Sequence, residues 1–149
     1  MRAPSVSPPR PCDSGDGGAP QRAGDPFDYA LLRVVPRVER GERINVGVVL
    51  FCRARDFLDV RLEPDERRLL ALSPGLDLEA VRGHLDFVRR VCAGDRACGF
   101  VAELPQAERF GWLVSPSSTI VQPSRVHAGL CADPAAALDR LLATLVRPG

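Results

Sequence analysis

The chain has 149 residues, a formal net charge of +1, 45% hydrophobic and 26% charged residues. That length fits one domain, and no apolar run approaches the roughly 20 residues needed to cross a bilayer. The near-balance of acids and bases means that no global field recruits nucleic acid or anionic lipid.

Residues 1–25 are dense in Pro, Gly, Ser and Asp and poor in large apolar side chains. Such a segment buries too little to offset roughly 1–2 kcal/mol of backbone entropy per residue, so it is expected to be a disordered tail. It has no apolar core of the kind a secretory signal carries. The structured part is then 26–149, read as a single α+β domain.

Two apolar runs follow, YALLRVV over 29–35 and INVGVVLFC over 44–52, joined by the charged PRVERGER over 36–43. Both read as strands. Strict alternation puts Tyr29, Leu31, Arg33 and Val35 on one face of the first. In the second it groups Ile44, Val46, Val48, Leu50 and Cys52 against Asn45, Gly47, Val49 and Phe51. Both faces are largely apolar, so the pair is expected to be central and covered on both sides. Gly47 inside a strand signals a bulge or a close approach by another group. FLDVRL over 57–62 alternates cleanly and completes an antiparallel meander through a turn at 53–56.

Helices are predicted next. Asp65 caps a short one over 66–72, and Asp77 caps 78–93, where Leu78, Val81, Leu85, Val88 and Cys92 recur at three- and four-residue steps. Gly94 is its stop. Residues 97–108 read as irregular, 110–114 (FGWLV) as a fourth strand and 119–122 (TIVQ) as a fifth, ended by Pro123. Asp133-Pro134 caps a last helix running to about 146, with Leu138, Leu141, Leu142 and Leu145 as its buried stripe. Strands, helices, strands, helix is the order of an α+β fold: about five mostly antiparallel strands packed by two to three helices.

The five cysteines, Cys12, Cys52, Cys92, Cys98 and Cys131, are odd in number and have no CxxC spacing. This disfavours a disulfide framework or a zinc site and places the chain in a reducing cytoplasm. The 20 basic residues are all arginine. With abundant Ala, Gly and Pro, that reads as GC-rich codon use, and it excludes every mechanism that needs a lysine.

Two polar constellations stand out. Arg33, Asn45 and Gly47 lie in the strand pair, where a guanidinium needs either an ion-pair partner or a role as an anion clamp. Residues 115–127 (SPSSTIVQPSRVH) collect Ser118, Thr119, Gln122 and His127, which read either as a binding loop or as a turn whose hydroxyls serve the local backbone. His84 sits beside an apolar helical stripe and reads as structural. No nucleophile elbow, phosphate loop or metal-ligand spacing accompanies either constellation.

The segments FDYALLRVVPRVERGERINVGVVLFC (27–52) and STIVQPSRVHAGLCADP (118–134) resemble the opening and closing motifs of the bacterial domain of unknown function 3037 family. Together they anchor nearly all of 27–146. The resemblance implies a small bacterial protein from a family without an established activity. Some members are encoded beside HipA-like kinase-fold proteins, which implies a partner role. It marks Arg33, Asn45, Gly47, Ser118, Thr119, Gln122 and His127 as positions to test and assigns none of them a task.

The expectation is therefore a cytoplasmic, non-enzymatic interaction module working with a HipA-like kinase-fold partner. No cofactor, metal or membrane is expected. One alternative is a small-anion- or nucleotide-binding domain or enzyme using Arg33, Asn45 and His127, which requires those side chains to share a cleft. The other is weak nucleic-acid binding through the arginines of 37–43, diluted there by Glu39 and Glu42.

Overall fold

In the computed structural model, strand β1 (Asp25–Val34) pairs antiparallel with β2 (Ile44–Cys52), and β2 with β3 (Phe57–Leu62). The structure describes residues 24–37, 40–117 and 119–147. Two short strands, β4 (Val121–Pro123) and β5 (His127–Cys131), line up end to end along the other side of β1, also antiparallel. The result is a five-stranded antiparallel sheet in an α+β fold. Apart from Gly24 and Asp25, the expected tail lies outside the described residues, as do Cys12 and Ser118, and Asp25 already belongs to β1.

Helices cover both faces of the sheet. On one side lie α1 (Glu66–Leu72), α2 (Leu78–Ala93) and α3 (Gln106–Leu113). Ala30, Leu32, Val34, Val49 and Phe51 meet Leu69, Val81, Leu85, Val88 and Phe110 there. On the other lies α4 (Pro134–Leu141), continued by a π-helical turn (Leu142–Val146). It packs Leu138, Leu142 and Val146 on Val48, Leu50 and Cys52. β2 is thus buried on both faces, as its composition predicts.

The helix ends follow local signals in the sequence. Asp65, Asp77 and Asp133 each accept a backbone N–H in the first turn of their helices, satisfying donors that the helix itself cannot. Gly94 ends α2 at φ 76°, a left-handed conformation that glycine adopts without strain.

Four differences from the sequence reading have identifiable causes. The segment expected as a strand at 110–114 is the end of α3. Its buried residues, Phe110 and Leu113, lie one helical turn apart and leave Trp112 outward, a period that five residues containing Gly111 cannot declare. Arg109 anchors this helix by donating to the carbonyls of Leu104, Val91 and Cys92, each at 2.9 Å, so it also serves the open end of α2. The strand expected at 119–122 is β4, confined to Val121–Pro123 because Thr119 is held in a turn. On the last helix the buried stripe is Leu138, Leu142 and Val146. There the π turn widens the spacing to four residues and leaves Leu141 and Leu145 half-buried.

The fourth difference concerns β2. The register pairs Leu32 with Gly47 but Arg33 with Asn45, so Val46 is an extra residue, a β-bulge. Beyond it the faces no longer follow simple alternation. Ile44 and Val46 share a core with Val49 and Phe51, while Asn45 turns to the side of Val48 and Leu50. Gly47 also meets the second condition read from the sequence. A Cβ there would stand 2.6 Å from Leu62 Cδ2 and 2.8 Å from the Arg61 carbonyl oxygen.

Candidate functional site

Arg33 and Asn45 face each other across β1 and β2, on the α4 side of the sheet. They open onto a cleft of about 400 Å³. Arg43, at the mouth of β2, and Arg68, on α1, join them in its wall, and Leu145, Val146 and Arg147 from the π turn complete it. Among the described residues the cleft therefore carries four guanidiniums and no carboxylate.

Among the described residues, one of the four has an ion-pair partner. Arg147 forms a two-pronged pair with Glu63, at 2.7 and 3.0 Å. Among the described residues no carboxylate lies within ion-pair distance of Arg33, Arg43 or Arg68. Burial, and then the neighbouring charge of Arg43, push the Arg33 guanidinium below its ordinary range. It still remains protonated at neutral pH. An anion placed between these groups would relieve both effects, because a guanidinium fork matches carboxylate and phosphate oxygens.

Asn45 shapes the cleft rather than lying free in it. Its Nδ2 donates to the Leu145 carbonyl at 2.9 Å, one of the last carbonyls of the helix and so without a helical partner. This bond ties the π turn to β2 and fixes the wall that carries Val146 and Arg147.

The other positions picked from the sequence are spread over the sheet. Gln122 is the partner of Arg33 on β4, so Asn45, Arg33 and Gln122 form one row across three strands. The Gln122 amide, however, donates to the Thr119 carbonyl at 2.9 Å. His127 pairs with Tyr29, their rings stacked at 5.3 Å. That is four residues along β1 from Arg33, roughly 13 Å at about 3.3 Å per residue. Thr119 lies on the opposite side of the sheet, where its hydroxyl contacts Ser117 Oγ at 2.7 Å and donates to the Val121 carbonyl at 2.7 Å. Ser118 lies outside the described residues. Arg37 and Arg40 line a separate cleft with the α1–α2 connection, where Arg40 pairs with Glu42 at 3.1 Å. The arginines of 37–43 thus divide between two places.

Three of the four cleft arginines, Arg43, Arg68 and Arg147, are not among the site residues expected from the sequence. Arg68 sits on an amphipathic helix among other arginines and carries no local sign of its role. Arg43 was grouped with the loop that precedes β2. Their meeting is set by how α1 packs against the sheet, which no short-range pattern encodes. One buried polar residue, Ser124, also proves structural. Its Oγ accepts from Leu31 N at 2.8 Å and donates to the Arg125 carbonyl at 2.8 Å, which bridges β1 across the gap between β4 and β5.

The chain is thus a small α+β domain: a two-faced antiparallel sheet with an arginine-lined cleft at one end. The family model described as a protein of unknown function (DUF3037) matches residues 29–146, and the chain belongs to that family. No curated protein and no solved structure matches it.

Proposed function

We propose that this protein is a non-enzymatic binding module whose ligand presents a carboxylate or phosphate group to Arg33, Arg43 and Arg68. The observation that carries this reading is the convergence of three guanidiniums, unneutralised among the described residues, on one cleft of about 400 Å³. Binding is favoured over catalysis because the groups that could move protons are elsewhere. His127 is stacked on Tyr29, and the hydroxyls of Ser117 and Thr119 are engaged with each other and the backbone. In this reading a kinase-fold partner, expected from the family resemblance, docks through an acidic segment in the cleft.

The test is calorimetric titration of the chain with inorganic pyrophosphate and with a glutamate-rich peptide, at two salt concentrations. At least one is expected to bind, more weakly at higher salt. The double variant Arg33→Gln/Arg68→Gln should lose about tenfold or more, as expected when charge-assisted hydrogen bonds are removed. Arg89→Gln, on α2 and outside the cleft wall, should change nothing. Tighter binding of the peptide assigns the cleft to a protein partner, and tighter binding of pyrophosphate assigns it to a small anion. Binding that is unchanged in the double variant removes the cleft from the function.

A further inference from the structure

Behind the cleft, on the other face of the sheet, lies a second cavity of about 390 Å³. Five segments line it: α2, the end of α3, residues 115–117 with Thr119, β4 and β1. Its inner surface includes Leu32, Val88, Leu113 and Val121, all buried and apolar. At its side stand the half-buried imidazole of His84 and the indole of Trp112. Trp112 is the only tryptophan of the chain and is 47% exposed. Its ring is held edge-on against Phe87 at 5.8 Å. We propose that this cavity is a binding site for a neutral, flat, ring-bearing small molecule that packs against Trp112 and hydrogen-bonds to His84.

The chemistry of the walls selects that class. Among the described residues no charged side chain lines the cavity, so an ionic ligand would be desolvated without a counter-charge. The hydroxyls at the rim are occupied within the protein. Ser115 Oγ donates to the Gly111 carbonyl at 2.8 Å, and Ser117 and Thr119 bond each other. Among the described lining side chains this leaves the Trp112 indole N–H and the His84 imidazole open to a ligand's polar atoms. Burial favours the neutral form of His84, which offers one N–H donor and one acceptor nitrogen. A mainly apolar cavity of this size with one or two placed polar groups is the usual form of a small-molecule site, and a tryptophan side chain suits a flat ring. Walls drawn from five segments around an apolar floor suit a compact molecule better than an extended chain. The site is independent of the arginine cleft, and either can fail without the other.

The test uses the whole chain and the neutral naphthalene dye Prodan, whose ketone can accept from His84. Saturable one-to-one binding is expected, with quenching of Trp112 emission and a blue shift of the dye. In proton NMR the His84 ring resonance should move and that of His127, the only other histidine, should not. Ser117→Phe, which fills the cavity from an exposed rim position, should weaken binding about tenfold or more. His84→Leu should weaken it by about tenfold, the effect of losing one good hydrogen bond. Arg33→Gln should leave it unchanged. The absence of saturable binding, an unmoved His84 resonance in the bound state, or a loss of binding in Arg33→Gln would each overturn the proposal. Because the NMR readout needs no variant, the outcome does not depend on Ser117→Phe folding.

Discussion

Leu32 and Arg33 are adjacent on β1, yet they belong to opposite kinds of surface. Leu32 is 2% exposed and closes the floor of the apolar cavity, while Arg33 faces three other guanidiniums across a basic cleft. The two-residue period of a strand lets one thin sheet hold sites of opposite polarity back to back. It also divides the work of the fold. The α2–α3 face gains stability by removing apolar surface from water. The Arg33 end of the α4 face gives up some of that gain to hold like charges together.

The sharpest test of this contrast is a pair of neighbouring substitutions. Leu32→Ala should destabilise the protein by about 2–5 kcal/mol, the usual cost of a cavity at a fully buried leucine. Arg33→Gln should leave the denaturation midpoint unchanged or slightly higher, because it relieves the repulsion from Arg43. Urea unfolding of both variants settles the point, and a comparable loss in Arg33→Gln would mean that its guanidinium is part of the framework.

A smaller effect is expected where the two ends of the β1 edge are joined. Ser124→Ala removes the acceptor for the Leu31 N–H and should cost about 1–3 kcal/mol, since that donor has no replacement partner. Hydrogen exchange at the Leu31 amide should accelerate with it. An unchanged exchange rate would show that the strand holds without the hydroxyl.

The smallest effect is a dependence on pH. His84 is buried enough that its folded pKa lies below the ordinary 6.5. Above pH 6.5 the ring is neutral folded and unfolded, and the fold carries no penalty. As pH falls below 6.5 the unfolded chain takes up the proton first, so this part of the stability is lost. His84→Gln should therefore flatten the decline of melting temperature between pH 6.5 and 5. A matching decline in the variant would place the titration elsewhere.

How much of this was legible in the sequence depends on the range of each signal. The meander, the capping residues Asp65, Asp77 and Asp133 and the stop at Gly94 rest on contacts within a few residues, and the sequence announces them. Gly47 announces a disturbance in β2 but not its direction. The bulge at Val46 is what returns Asn45 to the side of Arg33, and strict alternation placed it on the other. α3 was hidden because a short apolar run containing Gly111 fits either period. Arg68 and His84 gain their places only through packing between elements far apart in sequence. Within the basic cleft, Arg33 and Asn45 can thus be picked out in advance, whereas Arg68, Arg147 and the apolar cavity cannot.

The broken outer edge of β1 has one more consequence, for behaviour in concentrated solution. β4 is three residues long and β5 five. At the end of β4 Pro123 has no N–H to give, and beyond it the Ser124 N–H and hydroxyl group are both turned inward. A foreign strand approaching this side therefore finds two short stubs instead of a continuous template, which limits edge-to-edge growth. With Leu130 60% exposed on β5, that interruption acts as a guard against self-association into fibrous aggregates. Replacing Pro123 with a strand-forming residue such as valine would be the direct way to remove it.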